Sequence, residues 1–255
     1  MKITVIIPTY LDANKSYLDL AIESVRRQRE RLDVDLIVVS STKEKQNLPS
    51  WVNHIHKEER TSFSKANNIG IKAADPNTKH FFFLNDDAII PENTLHLIAT
   101  VAADNDVILN PMSNCDNYRA FVTSFALPGN HGQWAVIPHQ LRIDYVTNNG
   151  LIDSIYDFNK YIIPTNVLIP QHRVCFYGTL IPKKVIDKVG LFNEELIAGF
   201  EDEDYCVRAR QHGINNFISL NCALFHFSGT TADVVLTAEE RRKDIETYNR
   251  INNQR

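Results

Sequence analysis

Two adjacent carboxylates end an apolar run in the first half of the chain. Residues 81–84 have the length and composition of a buried strand, and Asn85, Asp86 and Asp87 follow them directly. Ligands of open α/β sheets bind outside the carboxyl ends of such strands. Because neighbouring carboxylates repel each other, a divalent cation could relieve the repulsion and could also hold a diphosphate. The alternative is a polar turn, since Asn and Asp are common turn residues.

A second acidic cluster consists of four consecutive residues, Glu201, Asp202, Glu203 and Asp204. Such a run is most often a solvated face or the N-terminus of a helix, where the dipole favours negative charge. Here it leads into the apolar phase of a helix, so some of the carboxylates must point inward. Asp204 and Arg208 are four residues apart, which predicts an ion pair within that helix.

Strands and helices alternate in the first half of the chain, which predicts a parallel sheet with crossover helices. Pro91 stands at the favoured first turn of a predicted helix. Predicted strands cover residues 3–7, 36–39, 54–56, 81–84 and 107–109, and predicted helices cover 16–28, 63–74 and the segment that Pro91 opens.

The second half of the chain is less regular. Residues 112–171 have no sustained period and predict loops and irregular sheet. Beyond them we predict strands at 174–181, 217–220 and 223–227 and helices at 183–189 and 202–213. Thr237 and Glu240 form a capping box, so a last helix should run toward residue 251. No linker or repeat divides the chain, and we expect one compact unit.

Composition excludes several classes of protein. With 255 residues, 44% of them hydrophobic, the chain can bury a large core. Its net charge of -4 provides no global field that would attract nucleic acid. The four cysteines have no CxxC pair or zinc spacing, which is typical of free thiols in a reducing compartment. No apolar run resembles a signal peptide or reaches the roughly 20 residues of a membrane span. We expect a cytoplasmic protein, either free or peripheral at a membrane.

Several segments, in order along the chain, resemble those of family 2 glycosyltransferases with the GT-A fold, in particular the rhamnosyltransferase-like branch. The LNDD segment resembles the DXD-type motif of that family. The segments are residues 5–10 (VIIPTY), 21–28 (AIESVRRQ), 63–71 (FSKANNIGI), 84–87 (LNDD), 191–195 (LFNEE) and 200–208 (FEDEDYCVR).

The resemblance implies an α/β fold of the GT-A (nucleotide-diphospho-sugar transferase) type. This fold has a single Rossmann-like, mostly parallel sheet with flanking helices and an acceptor-side extension. Residues 1–111 would form the nucleotide-sugar-binding half, and residues 112–255 the acceptor-binding and catalytic half of the same compact domain.

For the metal, the resemblance implies that Asp87 is a direct ligand of Mn²⁺ or Mg²⁺, since oxygen ligands suit these ions. Asn85 or Asp86 would contact the ribose or a metal-bound water. His226, in the segment FHFSG, matches a late histidine that lies near the metal in the family and would favour Mn²⁺. The alternative for His226 is a core histidine bonded to a backbone carbonyl.

For the donor, the resemblance places Pro8, Thr9 and Tyr10 against the base and ribose, with Lys65 or Asn67 near the base or phosphates. In the family the second strand usually ends on an aspartate that binds the base. This chain departs from that pattern because Ser40 and Ser41 stand there. A hydroxyl is uncharged and shorter, so the base stays open: UDP is the default, with TDP and GDP as alternatives.

For catalysis, the resemblance implies that Asp202 is the general base and that Glu201 contacts the acceptor or orients Asp202. A base on the face opposite the diphosphate favours inversion in one step. The predicted function is metal-dependent transfer of a sugar to a hydroxyl of a glycan, a lipid-linked glycan or a protein.

Three alternatives stay open. The acceptor could be a hydroxymethylated DNA base, as in phage-type transferases. The protein could bind nucleotide sugars without catalysis. It could also be another metal-dependent α/β enzyme, although a Gly-rich phosphate loop and an early nucleophile are both missing.

Overall fold

A central sheet organises the protein. The computed structural model describes residues 1–9, 15–41, 44–103, 105–115, 125–130, 133–138, 140–163, 165–197, 199–227 and 237–253. The strands of the central sheet are β1 (Lys2–Thr9), β2 (Asp33–Ser40), β3 (Asn53–His56), β4 (His80–Leu84), β5 (Ala88–Ile89), β6 (Val107–Ser113), β9 (Leu168–Gln171), β10 (Gly178–Pro182) and β11 (Asn215–His226). A separate hairpin is formed by β7 (Phe125–Pro128) and β8 (Trp134–Ile137).

The sheet is mostly parallel, as predicted, with antiparallel additions from the second half of the chain. Its order is β3-β2-β1-β4-β10-β6-β11-β5, and β9 pairs with β11 outside that path. The neighbours β3, β2, β1 and β4 are parallel, as are β6 and β11. Strand β10 is antiparallel to both β4 and β6 and lies between them. The two halves of the chain therefore share one sheet.

Helices cover both faces of the sheet. They are α1 (Lys15–Gln28), α2 (Phe63–Ala73), α3 (Thr94–Ala102), α4 (Ile143–Asn148), α5 (Ile152–Tyr156), α6 (Lys183–Val189), α7 (Glu201–Gln211) and α8 (Ala238–Asn253), with a 3₁₀ turn at Phe158–Tyr161. Alternate residues of β1 point to opposite faces, so Ile3, Val5 and Ile7 pack with α1 and α3 while Ile6 packs with α6 and α7. None of the described helices is long and apolar enough to span a bilayer.

The helix that Pro91 was predicted to open begins three residues later, at Thr94. The carbonyl of Pro91 accepts bonds from the backbone N–H of Thr94 (3.2 Å) and from Nε2 of Gln28 (2.9 Å). The same Gln28 amide accepts the N–H of Leu95 through its oxygen. Gln28 thus bonds both the carbonyl of Pro91 and the N–H of Leu95. Pro91 itself lies in the turn before the helix and not in its first turn.

Two strand predictions had the wrong bounds. The predicted strand at 174–181 begins only at Gly178, because Val174 and Phe176 are buried in the core without pairing to a neighbouring strand. The two short strands predicted at 217–220 and 223–227 are one strand, β11, whose register with β6 shifts between Ser219 and Ala223. A bulge of this kind breaks the side-chain alternation, so the sequence resembles two strands.

The segment predicted as loops and irregular sheet, residues 112–171, contains a hairpin and short helices. Buried residues of this segment, among them Leu127, Leu141 and Ile155, form a core with Ile89 and Phe225 of the sheet edge. The predicted capping box is present: the N–H of Glu240 bonds Oγ1 of Thr237 at 3.2 Å, and Glu240 accepts the N–H of Thr237 at 2.8 Å. All four cysteines are free thiols.

Candidate active site

The carboxyl ends of the parallel strands bring the predicted donor residues to one edge of the sheet. Thr9 pairs with Ser40 across β1 and β2, and β4 runs parallel to β1 on its other side and ends just before Asn85. Oγ1 of Thr9 donates to Oδ2 of Asp86 at 2.6 Å. Both side chains are buried, so this contact fixes the direction of the Asp86 carboxylate.

Asp87 and His226 are in direct contact. Strand β11 pairs with β5 so that His226 lies opposite Ala88, and the N–H of Phe227 donates to the carbonyl of Asp87 at 2.9 Å. This pairing brings Nε2 of His226 to 2.9 Å from Oδ1 of Asp87. Nδ2 of Asn85 lies 3.4 Å from the same imidazole nitrogen.

Two residues that the sequence analysis missed hold His226 in place. Asn114 bonds both backbone groups of His226: its Oδ1 accepts the N–H at 2.8 Å, and its Nδ2 donates to the carbonyl at 2.9 Å. The ring of Tyr177 stacks on the imidazole with centroids 4.7 Å apart. Neither contact has a sequence signal, because both depend on how β6, β10 and β11 are arranged.

The electrostatics of His226 are dominated by burial and by Asp87. Burial alone would lower the pKa of the imidazolium, but the attraction and hydrogen bond of the Asp87 carboxylate raise that pKa to about 10. Without a cation, the pair is therefore an ion pair at neutral pH.

The donor set fits a six-coordinate divalent cation. Adjacent ligands of such an ion, each about 2.1 Å from it, are about 3.0 Å apart. The observed 2.9 Å between Asp87 Oδ1 and His226 Nε2 matches this separation. Among the described residues, no group of three or more His, Cys, Asp or Glu side chains forms a closed cage. If Asp87 and His226 both bound such an ion, positions would stay open for diphosphate oxygens and water, as is usual for nucleotide sites.

The other predicted donor residues differ in their environment. Pro8 is the second-last residue of β1 and is buried, whereas Lys65 is exposed in the first turn of α2. Asn67 is fully buried and its Nδ2 donates to the carbonyl of Phe63 at 3.0 Å, so part of its polar capacity is used within the helix. Tyr10 lies outside the described residues, as do Ser228 and Gly229 of the FHFSG segment.

The Ser40 hydroxyl is shared by two imidazoles. Its Oγ lies 2.7 Å from Nε2 of His54 and 3.2 Å from Nδ1 of His56, both on the edge strand β3. Burial, with the positive charges of Lys45 and His56, lowers the pKa of His54. The two histidines stand two residues apart on one face of a strand, a spacing that the sequence analysis could have used.

Glu201 and Asp202 begin α7, which is anchored by its apolar side. Tyr205 and Cys206 are completely buried in the core that covers β4 and β10. Oδ1 of Asp202 accepts the N–H of Glu203 at 2.7 Å. The predicted pair of Asp204 and Arg208 is present at 2.9 Å, with Asp204 completely buried.

The pKa values of this acid pair are shifted upward. Burial, followed by the negative charge of Asp202, raises the pKa of Glu201 to about 8. Burial also raises the pKa of Asp202, opposed by its bond to the N–H of Glu203 and by the charge of Arg173. Among the described residues, Oε2 of Glu201 is enclosed without a hydrogen-bond partner. A carboxylate with a raised pKa is a better proton acceptor, which suits a general base.

A short segment, residues 173–177, connects two acidic centres. The first contains Asp86 and Asp87, and the second contains Glu201 and Asp202. At its start, Arg173 pairs with Glu203 at 2.8 Å, and the charge of Arg173, together with the Cys175 thiol, opposes the rise in the pKa of Asp202 that burial causes. At its end, the Tyr177 ring stacks on His226, and its carbonyl accepts the N–H of Asn85 at 3.1 Å.

The length of this segment limits how far apart the centres lie. The chain from Cys175 to Tyr177 spans at most about 7 Å, so the residues next to Asp202 and His226 belong to one short stretch of backbone. Asn110 and Thr179 fix the segment by donating hydrogen bonds to the carbonyl of Cys175 at 2.7 and 3.1 Å.

Solved structures share this fold at low sequence identity, and the GT-A fold is confirmed. GalNAc-T7 with UDP, GalNAc and Mn²⁺ is 14% identical over 88% of this chain and 43% of its own, with a TM-score of 0.60. TarS 1-349 of S. aureus with UDP-GlcNAc is 17% identical over 93% and 62%, with a TM-score of 0.58. The mannosyltransferase PcManGT of Pyrobaculum calidifontis, with GDP-Man and Mn²⁺, is 14% identical over 90% and 57%, with a TM-score of 0.56. The chain thus spans about half the length of these proteins.

No curated protein sequence matches the chain significantly. The sequence profile described as glycosyl transferase family 2 matches residues 4–157, which is more than half of the chain and includes the strand end that carries Asp86 and Asp87. The sheet with its two acidic centres and this match lead to the same assignment: the chain belongs to glycosyl transferase family 2.

Proposed function

We propose that the chain transfers a sugar from a nucleoside diphosphate to an acceptor hydroxyl with inversion, using Asp87 and His226 as metal ligands and Asp202 as the base. The observation that carries this proposal is the segment 173–177, which pairs through Arg173 with Glu203 beside Asp202 and stacks through Tyr177 on His226. A cation site and a proton acceptor on opposite sides of one space are what a single displacement needs.

The donor side is built from the strand ends. Thr9, Asn85 and Asp86 line the edge beside Asp87, where they would contact the ribose and the water around the ion. A bound Mn²⁺ or Mg²⁺ would neutralise the charge that develops on the leaving diphosphate. Asn114 and Tyr177 keep the His226 ring directed at Asp87, so the ligands need little reorganisation when the donor binds.

The base side is built from the first turn of α7. Asp202 would take the proton of the acceptor hydroxyl while the hydroxyl oxygen attacks the anomeric carbon. Glu201, with a pKa of about 8, holds a proton through much of the neutral range and could donate a hydrogen bond to the acceptor or to Asp202. Residues 1–111 would thus supply most donor contacts, and residues 112–255 the base and the acceptor side.

A UDP-sugar is the proposed donor. Two of the similar structures contain UDP or UDP-GlcNAc, and a third contains GDP-Man. In this chain Ser40, His54 and His56 stand where the second and third strands end, and hydroxyl and imidazole groups can both donate and accept hydrogen bonds, which suits a base edge that does both. The proposed acceptors are a glycan, a lipid-linked glycan or a protein.

A thermal-shift and hydrolysis panel tests the proposal. UDP-, TDP- and GDP-sugars are added with Mn²⁺, with Mg²⁺ or with EDTA, and Tm and nucleotide release are measured. The correct donor should raise Tm only when the metal is present. At a donor concentration 100 times its Kd, the free energy of unfolding should rise by about 2.7 kcal/mol. Slow release of the nucleoside diphosphate would distinguish an enzyme from a protein that only binds nucleotide sugars. Equal stabilisation in EDTA would contradict the metal site.

A further inference from the structure

Helix α8 packs against the segment that leads into the acid pair. Among the described residues of this polar helix, the buried side chain is a carboxylate, Asp244, of which 2% is exposed. Its two oxygens accept the same N–H, that of Ile197, at 3.0 and 3.2 Å. Burying a carboxylate is costly unless it is bonded, so this contact fixes the backbone four residues before Glu201.

The residue directly before Glu201 has an uncommon backbone conformation. Phe200 has a φ of 66°, in the left-handed region that side chains other than Gly rarely adopt. Such a conformation persists only where surrounding contacts impose it. The contact here is the ring of Tyr248 of α8, which stacks on Phe200 with centroids 4.7 Å apart and planes within 20°.

The same tyrosine reaches the first turn of α7. Burial and the nearby Glu203 carboxylate raise the pKa of its hydroxyl, and Glu203 also pairs with Arg173. Helix α8 thus holds the chain on both sides of Glu201 and Asp202: Asp244 at Ile197, and Tyr248 at Phe200 and Glu203. The direction in which α7 leaves Phe200 sets where these two carboxylates point.

We propose that Asp244 and Tyr248 are positioning residues for the general base, acting through Ile197 and Phe200 and not through contact with a substrate. This inference rests on the proposed role of Asp202. It assigns the last helix a part in the reaction, since displacement of a catalytic group by about 1 Å can reduce the rate 100-fold.

The test compares Tyr248→Leu and Asp244→Ala with two controls. Glu246→Ala removes a carboxylate from the exposed pair with Arg242 on the same helix, and Tyr248→Phe keeps the ring but loses the hydroxyl. Tyr248→Leu and Asp244→Ala should lower kcat about 10- to 100-fold with the donor KM and the Mn²⁺-dependent nucleotide Kd within about twofold of the parent. Glu246→Ala should change nothing, and Tyr248→Phe should retain most of the activity.

Each outcome decides. If folded Tyr248→Leu keeps its kcat, or if kcat and nucleotide affinity fall together, the positioning role is wrong. Tyr248 is only half-buried, so its variants should fold. They therefore test the positioning role even if Asp244→Ala does not fold. Asp202→Asn is measured in parallel: normal turnover in that variant would refute the proposed base, whereas a dead Asp202→Asn beside a fully active Tyr248→Leu would refute only the role of α8.

Discussion

At the scale of single residues, the two clusters of adjacent carboxylates have different environments. Asp87 has an imidazolium 2.9 Å away, whereas Glu201 and Asp202 share a buried helix start with each other. The first arrangement keeps the Asp87 carboxylate charged, because the imidazolium lies beside it. The second raises the proton affinity of the pair. Two acidic centres with different environments can therefore have different roles.

Asp87→Ala should abolish transfer and metal-dependent nucleotide binding. The fold should persist, because His226 can lose its proton once Asp87 no longer holds its pKa up, and the loss of stability should stay at about 1–3 kcal/mol. Nucleotide titrations with Mn²⁺ and with EDTA, together with urea unfolding, measure both effects. Asp19→Ala, in an exposed pair on α1, is the matched control. Full activity of the parent protein in EDTA would contradict the metal assignment.

Asp202→Asn should lower kcat by about 10²–10⁴-fold, because the amide cannot accept the acceptor's proton. The donor Kd should stay nearly unchanged, since the diphosphate is held on the other side of the sugar. Asp204→Asn, which weakens the buried pair with Arg208, should instead cost stability and little rate. Loss of donor binding in Asp202→Asn would show that Asp202 is not the base.

Glu201→Gln should stabilise the protein at high pH. A carboxyl whose pKa is raised on folding stabilises the fold below its unfolded pKa, here 4.5, and that contribution is lost as the pH rises through about 8. At pH 8.5 the variant should therefore be more stable than the parent, and at pH 4 the two should be alike. Thermal unfolding of both proteins across this range measures the difference. A constant gap at every pH would contradict the shift.

At the scale of elements, helix α2 makes a connection that the sequence analysis did not predict. The sequence suggested Asn67 for the donor, which stays a prediction, and the neighbouring Asn68 makes long-range contacts. Its side chain bonds the N–H and the carbonyl of Phe192 at 3.0 and 2.9 Å and reaches Glu194 at 2.8 Å. Asn68 thus ties α2 to the segment that precedes α7.

Asn68→Ala should cost about 2–3 kcal/mol of stability, because it leaves the buried backbone groups of Phe192 unsatisfied. Lys72→Ala, on the exposed side of the same helix, should be within about 0.5 kcal/mol of the parent. Urea unfolding of the three proteins measures this difference. Equal stability of Asn68→Ala and the parent would mean that water satisfies these groups.

The elements that the sequence predicts well have a strong local period. The bounds of α6 match the prediction, and those of α1, α2 and α7 lie within two residues of it. The candidate site is predictable where its residues lie next to the boundary of such an element, as Asp87 does after β4 and Asp202 does at the start of α7. Contacts made by residues 173–177 and by Asn114 are not, because they depend on β10 entering the sheet antiparallel between two earlier strands. No local pattern encodes that neighbourhood.

At the scale of the whole molecule, the order of the sheet makes the first half dependent on the second. Strand β6 pairs with β10 and β11, both from beyond residue 171. The core that contains Ile3 and Phe82 also contains Leu180 and Leu224. A fragment of residues 1–111 should therefore not fold cooperatively, since it lacks the neighbours of β4 and β6 and part of their core.

Far-UV circular dichroism and urea unfolding of that fragment check this prediction. A sharp unfolding transition would contradict it. Adding a fragment of residues 112–255 should restore a cooperative transition if the two pieces complete the same sheet, and the mixture should regain Mn²⁺-dependent nucleotide binding.

The path of the chain between β6 and β9 has an evolutionary consequence. The chain leaves the sheet after Ser113 and returns at Leu168, and β6 and β9 are both neighbours of β11. Because the entropy of closing a loop grows slowly with its length, the surface turns of this excursion can lengthen or shorten, provided that the side chains packed against Ile89 and Phe225 are kept. If the excursion lines the acceptor side as proposed, grafting a related excursion would change the acceptor while the residues at the strand ends stay the same.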